Sequence, residues 1–356
     1  MDLAPELVIP KVRCAAFHGS QVADPVGTAG AYDAFLFVEV PLPWEKDITM
    51  SEPFRSITPR AAAIEGGDGR RWRPMGLVPH DGASGTVRVL AFDRPVGPTV
   101  ATPLRRREWS VPAPEVAALC RAVLTGDAGE AGDAGEAASF DGRRDDVPPG
   151  TVDLFVCTHG KRDTCCGSLG AAMHQELQGR LDREHDGSGP AAVAGASAGA
   201  GRPEVRLGRC SHTGGHRFAP TALTFPDGYA WAHLTAELAL RLVRRDGPPS
   251  DFSAHCRGSS LFDGAPAQAA DRAALVAVGW DWADATRRAE VIAYERDTMA
   301  TTVRVSGRLA DGSTPSLEVR VEVERHIPMP TCGSIEGPEF AVEPVWQVAA
   351  VDRFDR

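Results

Sequence analysis

The amino-acid sequence predicts a mixed α/β fold, in which helices and strands alternate along the chain. Two observations predict it. First, 43% of the 356 residues are hydrophobic, which is enough for packed cores in more than one domain. Second, apolar residues recur with the period of a helix in some segments and form short β-branched or alternating runs in others.

The segment 151–247 shows the order of elements most clearly. Its predicted elements are a strand, a helix, three strands and a helix, over residues 152–156, 169–181, 205–207, 221–225, 229–231 and 238–243. Pro226-Asp227-Gly228 is a turn sequence between two of these strands, which makes them antiparallel. This order of elements is that of a thioredoxin-like domain, which we predict over 151–247.

The flanking regions follow from the same periodicities. Residues 1–125 contain predicted strands at 34–40 and 87–92 and a helix at 116–124, a fainter version of the central pattern that fits a degenerate thioredoxin-like unit. Residues 126–150 are rich in Gly, Ala and acids and poor in large apolar groups, which predicts a linker. Residues 248–356 are predicted to form a mixed α+β extension, with a helix at 267–278 and strands at 301–305 and 317–323.

Charge and hydropathy exclude several classes of function. The chain has 48 acidic and 38 basic residues, a formal net charge of -10, so we expect no binding to nucleic acid or to an anionic membrane. No apolar run is long enough to span a bilayer. The segment Met1 to Leu7 lacks the basic stretch and apolar run of a secretory signal, so we expect a cytoplasmic protein.

Two loops carry the candidate metal ligands. Cys157 directly follows the 152–156 strand, and Cys166 lies where the next helix begins. His212 and His216 lie in the loop after the 205–207 strand, separated by a segment that contains two glycines. Two thiolates from one loop and two imidazoles from another suit a metal centre.

Spacing and charge favour a bulky redox group at this centre. Zinc accepts two cysteines and two histidines, but its structural sites usually pair cysteines two to four residues apart, whereas eight residues separate Cys157 from Cys166. A 2Fe-2S cluster fits a longer loop, and histidine is known to replace cysteine as its ligand. With two thiolates and two neutral imidazoles, the oxidised cluster has zero net charge and the reduced cluster a single negative charge. Zinc remains the alternative.

The segment from Val156 to Cys166, together with 211–220, resembles the sucrase/ferredoxin-like family, whose pattern is C-x8-C followed by H-x-G-G-H. Cys157 and Cys166 match its cysteines, and His212 and His216 match its histidines. Weaker similarity extends over most of the chain. The resemblance implies a thioredoxin-like ferredoxin fold and a 2Fe-2S cluster held by those four residues.

We therefore expect an electron-transfer protein or a component of a redox enzyme, which exchanges single electrons with a protein partner that the sequence does not identify. Sucrase activity is not supported, because no pair of carboxylates is marked for glycoside hydrolysis. The alternative is a structural or protein-interaction module stapled by zinc. A dithiol oxidoreductase that uses Cys165 and Cys166 or Cys157 ranks last, because the chain has no C-x-x-C motif.

Side chains near these loops receive simpler interpretations. We expect His159 to be exposed to solvent, and we leave the role of Cys165 open. Lys161 and Arg162 either favour the reduced cluster, dock an acidic partner or are simply solvated. The remaining five cysteines are interpreted as small core residues: Cys14, Cys120, Cys210, Cys256 and Cys332.

Overall fold

A computed structural model describes residues 13–57, 63–80, 85–94, 100–126, 140, 144–186, 203–329 and 341–354. It confirms the mixed α/β class. The helices of the described residues are α1 (Cys14–Ser20), α2 (Phe54–Ile57), α3 (Val116–Thr125), α4 (Ala171–His185), α5 (Ala236–Val243) and α6 (Ala265–Val278). The strands are β1 (Ala34–Glu39), β2 (Ile64–Glu65), β3 (Arg71–Leu77), β4 (Thr86–Asp93), β5 (Arg105–Pro112), β6 (Val152–Cys157), β7 (Val205–Cys210), β8 (Ala222–Phe225), β9 (Tyr229–Trp231), β10 (Cys256–Ser259), β11 (Thr286–Glu295), β12 (Ala300–Arg308), β13 (Ser316–Met329) and β14 (Ala341–Phe354).

One mixed sheet runs through most of the molecule in the order β10-β9-β8-β6-β7-β3-β1-β4-β5. In its second half β6 and β7 are parallel, β8 is antiparallel to β6, and β9 is antiparallel to β8. Helix α4 connects β6 to β7 and α5 follows β9. The predicted order of elements is therefore present, with its strands arranged as in thioredoxin-like domains.

The first half of the sheet repeats this arrangement. Strands β1 and β3 are parallel, β4 is antiparallel to β1, and β5 is antiparallel to β4. Helix α3 follows β5, as α5 follows β9. The N-terminal unit thus has the same strand order as the central one, and the positions that correspond to Cys157 and Cys166 carry no cysteine. The residue boundaries proposed for the separate domains stay a prediction.

The two halves join where β3 and β7 end. These strands pair antiparallel at Leu77 and Cys210, and the Ser211 amide donates to the Gly76 carbonyl at 2.8 Å. The Ser211 hydroxyl in turn accepts a hydrogen bond from the Gly76 amide at 3.0 Å. The start of the histidine loop is therefore fixed against the N-terminal unit.

An aromatic core spans the joint. Phe35, Phe37 and Phe92 of the first half pack against Phe155 and Phe225 of the second, and the ring centroids of Phe92 and Phe225 lie 4.3 Å apart. Each of these side chains is almost fully buried. Burial of a side chain of this size stabilises a fold by about 1.5–3 kcal/mol, so the two halves form one packed body.

A second, antiparallel sheet of β11 to β14 packs against α6. A buried polar cluster connects it to the central sheet: Arg287 of β11 pairs with Asp271 of α6 at 2.8 Å, and the Tyr229 hydroxyl donates to Asp271 at 2.8 Å. All three side chains are buried. Because each charge has a partner, the cluster fixes the second sheet without leaving an uncompensated buried ion.

Several elements were not predicted from the sequence. Strand β5 begins with four charged residues, yet Arg107 and Glu108 are buried, because Arg206 of β7 pairs with Glu108 at 2.7 Å and other ion pairs surround them. Strand β3 contains Pro74 and has no apolar run. Helix α1 and strands β2, β10, β11 and β14 were also missed.

Some predictions concern residues that the structure does not describe. Most of the predicted linker 126–150 lies outside the described residues, as do 187–202 and Cys332. Within the part of the chain that is described, no helix combines the length and apolar character needed to cross a membrane.

Candidate metal centre

The first ligand loop connects β6 to α4. Cys157 ends β6, and Cys166 begins a short π-helical turn, Cys166–Gly170, that continues into α4. The turn packs so tightly against β6 that a Cβ atom on Gly170 would lie 2.0 Å from the Cys157 carbonyl oxygen. The φ of Gly170 is -66°, an ordinary helical value, so the glycine is required for space and not for conformation.

The second ligand loop follows β7. Gly214 and Gly215 both have left-handed φ values, 78° and 71°, which turn the chain between the two histidines. Two arginines hold this loop through its backbone. Arg73 donates to the His212 carbonyl at 2.7 Å, and Arg257 donates to the Gly214 carbonyl at 3.0 Å. The loop position is therefore set by side chains from β3 and β10.

Three of the four predicted ligands come together. The sulfur atoms of Cys157 and Cys166 and a ring nitrogen of His212 all lie within 4.8 Å of one another. Both cysteines are fully buried. Because the Nδ1 of His212 has no hydrogen-bond partner among the described residues, its contact with Cys157 is made through Nε2. Two sulfurs and one imidazole thus face a common point.

The ionisation of Cys157 and His212 suits a metal, whereas Cys166 holds a proton that a bound metal would displace. Hydrogen bonds from the Cys166 thiol and from His212 lower the pKa of Cys157 well below its ordinary value, against the effect of burial. The adjacent Cys157 sulfur and burial raise the pKa of Cys166. Burial lowers the pKa of His212, which keeps its ring neutral. Thiolate and neutral imidazole are the forms that bind metal ions.

The fourth predicted ligand, His216, lies against a second group of donors. Its Nδ1 is 2.9 Å from Asp163 Oδ2 and 3.1 Å from the Cys14 sulfur. Cys14 is in turn 3.6 Å from the Cys165 sulfur. The ligand atoms of Cys14, Asp163 and Cys165 lie within 4.8 Å of one another, and all three residues are buried.

The ring centroids of His212 and His216 lie 6.3 Å apart, so the second donor group adjoins the first. That all four predicted residues hold one cofactor stays a prediction. Sequence reasoning missed Cys14 and Asp163. Cys14 is 151 positions from Cys165 and gives no local signal, whereas Asp163 lies inside the cysteine loop and was the one carboxylate whose position could have suggested a role.

Asp163 connects the two ligand loops. Its Oδ1 accepts a hydrogen bond from the Cys165 amide at 2.9 Å, which caps the turn before Cys166. Its Oδ2 reaches His216 in the other loop. A carboxylate bonded to Nδ1 of a histidine fixes the tautomer in which Nε2 is free to bind a metal.

The expectation of a solvent-exposed His159 is wrong. This residue is 2% exposed, its Nε2 donates to the Glu45 carbonyl at 2.9 Å, and its ring packs edge-on against Trp44. This burial was not predictable from the local sequence, because the covering segment lies 114 positions earlier in the chain. Lys161 is exposed and pairs with Glu45 at 2.8 Å.

Three of the five cysteines assigned to the core are confirmed as buried free thiols: Cys120, Cys210 and Cys256. Burial raises the pKa of Cys120 and of Cys256 to about 12, so both stay protonated and unreactive. Cys14 is also buried, but it belongs to the second donor group.

Comparison with known proteins agrees with the motif. Searches of curated proteins and of solved structures find no match. The family model described as sucrase/ferredoxin-like matches residues 25–258, a range that contains Cys157, Cys166, His212 and His216. Since this match covers well over half of the 356 residues, the chain belongs to the sucrase/ferredoxin-like family.

Proposed function

We propose that this protein is an electron carrier whose 2Fe-2S cluster is held by Cys157, Cys166, His212 and His216. The observation that carries the proposal is the convergence of two buried sulfurs and one neutral imidazole from two loops of the family-matched region. When bound, such a cluster takes up and releases one electron at a time.

The chain's own residues suit this group. His212 already directs Nε2 towards the cysteines, and the bond from His216 Nδ1 to Asp163 leaves its Nε2 available. Both histidines would therefore bind through the same ring atom. The cysteines are shielded from water, while Arg73 and Arg257 hold the loop near them and place positive charge where reduction adds a negative one.

The proposal includes a protein that donates electrons and one that accepts them, and a location in the cytoplasm. It includes no nucleic acid, no membrane surface and no hydrolysis of sugars. Its support is the acidic net charge and the residue types of the two ligand loops.

A zinc staple is the second candidate. One observation favours it: the donor atoms of Cys157, Cys166 and His212 lie within 4.8 Å, a separation that also suits a single tetrahedral ion. The protein would then be a structural or interaction module whose zinc site ties the two loops together.

Spectroscopy and metal analysis of anaerobically purified protein separate the two candidates. We expect a red-brown protein with about two irons and two acid-labile sulfides per chain, and an electron paramagnetic resonance signal that develops on reduction with dithionite. A colourless protein that stays so after reconstitution and carries about one zinc would overturn the cluster and support the zinc module.

Single substitutions then assign the ligands. His212→Cys and His216→Cys should each keep a cluster and lower its reduction potential, because thiolate replaces a neutral ligand. His185→Cys, at the exposed end of α4, is the matched control and should leave the signal unchanged. An unaltered signal in His216→Cys would remove this histidine from the ligand set.

A further inference from the structure

A positively charged cavity adjoins the candidate metal centre. It has a volume of about 420 Å³, and five basic side chains line it, whereas Asp47 is its one acidic lining residue. We call it the cationic cavity and define it by Lys46, Arg73, Arg162, Arg217 and Arg257. This concentration of positive charge contrasts with the net charge of -10 of the whole chain.

The basic side chains of the cavity are poorly neutralised by the protein. Arg217 pairs with Glu343. Arg257 is only 2% exposed, and it donates to neutral oxygens: the Thr28 hydroxyl at 3.1 Å, the Thr28 carbonyl and the Gly214 carbonyl at 3.0 Å. In the described parts of the chain, neither Arg73, Arg162 nor Arg257 has a carboxylate within ion-pair distance.

An uncompensated buried guanidinium is costly, because burial removes its hydration and no opposite charge replaces it. Burial, together with the positive charges of Arg217 and Arg73, lowers the pKa of Arg257 to about 9. An anion bound in the cavity would supply the missing negative charge for several of these arginines at once. Among the described lining residues the acid is Asp47, whose Oδ1 accepts hydrogen bonds from the Thr49 amide and hydroxyl at 3.0 and 2.8 Å.

Two histidines add hydrogen-bonding groups to the same cavity. His212 and His159 both line it, and the buried Nδ1 of each lacks a hydrogen-bond partner among the described residues. A neutral imidazole that binds a metal through Nε2 carries its proton on Nδ1, so with the centre occupied the Nδ1 of His212 can donate into the cavity. The Nε2 of His159 donates to the Glu45 carbonyl, so its Nδ1 can accept from a hydroxyl.

The cationic cavity is distinct from the candidate metal centre. Of the four predicted ligands, only His212 lines it, and Cys157, Cys166 and His216 do not. We propose that the cationic cavity binds a small oxyanion, a phosphate or a carboxylate, in contact with His212. Fork-shaped guanidinium groups suit such ligands, and a protonated oxygen on the anion would satisfy His159.

This site gives the protein a ligand that touches the metal centre through a single imidazole. A negative charge at that position would disfavour reduction of the centre, so occupancy would set how readily electrons are accepted. The binding itself depends on the cavity alone, and it would be present whether the centre holds iron and sulfide or zinc.

Equilibrium dialysis of the purified protein against radiolabelled inorganic phosphate, and separately against citrate, tests the proposal at low ionic strength. We expect saturable binding of at least one of the two anions at one site per chain, weakened by added sodium chloride. The double variant Arg73→Gln/Arg162→Gln should raise the dissociation constant at least tenfold. Arg308→Gln, an exposed arginine on β12 of the other sheet, is the control and should bind as the wild type does.

Arg73 also holds the histidine loop, so the single variant Arg162→Gln is measured beside the double one. Arg162 is exposed and donates to the Lys46 carbonyl at 3.4 Å, so its replacement should leave folding and metal content unchanged while still weakening anion binding. The proposal is wrong if neither anion binds saturably, or if both Arg162 variants retain the wild-type dissociation constant. Iron, sulfide and zinc assays of the same samples show independently of anion binding whether the proposed cluster is present.

Discussion

At the scale of single residues, Asp163 has a role that its neighbours cannot replace. It caps the turn before Cys166 with one oxygen and holds His216 with the other. In Asp163→Asn the amide oxygen can keep the cap, but the amide nitrogen cannot accept from His216 Nδ1. We therefore expect the protein to fold and to bind its metal about 10–100-fold more weakly, as is usual when the partner of a ligating histidine is lost.

Competition with a chelator measures this loss of affinity, on protein loaded with its native metal. The exposed Asp246→Asn, on the segment after α5, is the control for a change of one charge. Equal metal retention in the two variants would mean that Asp163 acts only as the cap of its turn.

The residue scale also shows what a sequence can reveal about a site. Cys157, Cys166 and His212 were predictable because each directly follows a strand or begins a helix, and the ends of parallel strands meet at one edge of a sheet. Cys14 was not predictable, since only the tertiary packing of α1 on the residues around His216 brings it there.

At the scale of elements, the start of α4 depends on the absence of a side chain. Gly170→Ala should destabilise the protein by about 1–3 kcal/mol, because its Cβ would lie 2.0 Å from the Cys157 carbonyl and the helix would have to shift. The same substitution at Gly179 in the middle of α4 meets only the flexible end of Arg183 at 3.4 Å. Gly179→Ala should stabilise by about 0.5–1 kcal/mol.

Urea unfolding of both variants measures the difference. Because both changes replace a glycine by alanine in or beside one helix, the contrast reports the packing of Gly170 and not helix propensity. If Gly170→Ala unfolded at the urea concentration of the wild type, the close approach of α4 to β6 would be disproved.

Elements were predictable from the sequence where the side chains that they bury are apolar. Strands β6, β8 and β9 lie inside the sheet, and their runs of apolar residues predict buried strands. Strand β5 also belongs to the sheet, but its Glu108 and Arg107 are buried through ion pairs with residues distant in sequence. The sequence of β5 therefore resembles that of a charged loop. Charge pairing of this kind is a tertiary property that no local pattern contains.

At the scale of the whole molecule, two half-buried histidines and the buried Asp153 contribute to how the free energy of unfolding depends on pH. Burial lowers the pKa of His174 and of His233 to about 4. In the unfolded chain both take up protons near pH 6.5. Between about pH 6.5 and 4 the unfolded state therefore binds more protons, and these two residues make the free energy of unfolding fall as the pH falls.

Asp153 acts in the opposite direction. Burial raises its pKa to about 6, more than the nearby Arg106 and Arg206 lower it. Between about pH 6 and 4 the folded state thus holds the extra proton, which adds stability as the pH falls. Taken together, the two histidines outweigh Asp153, so these three groups should lower the free energy of unfolding on acidification.

Urea midpoints measured from pH 7.5 to 4 check both contributions. His174→Gln/His233→Gln should flatten the loss, Asp153→Asn should steepen it, and His185→Gln, exposed on α4, should change neither. A profile of the wild type that rises towards pH 4 would contradict the assignment of the two histidines.

The surroundings of His216 also constrain how the protein is made. They combine Cys14 of α1, Asp163 and Cys165 of the central loop, and Glu343 of β14, which pairs with Arg217 beside the histidine. A ribosome releases these segments in that order, with Glu343 far behind the cysteines. The two loops that carry the donor groups are therefore synthesised before β14, the strand whose Glu343 pairs with Arg217. A metal ion that binds these donors can therefore reach them on the nascent chain before the Glu343–Arg217 ion pair has formed.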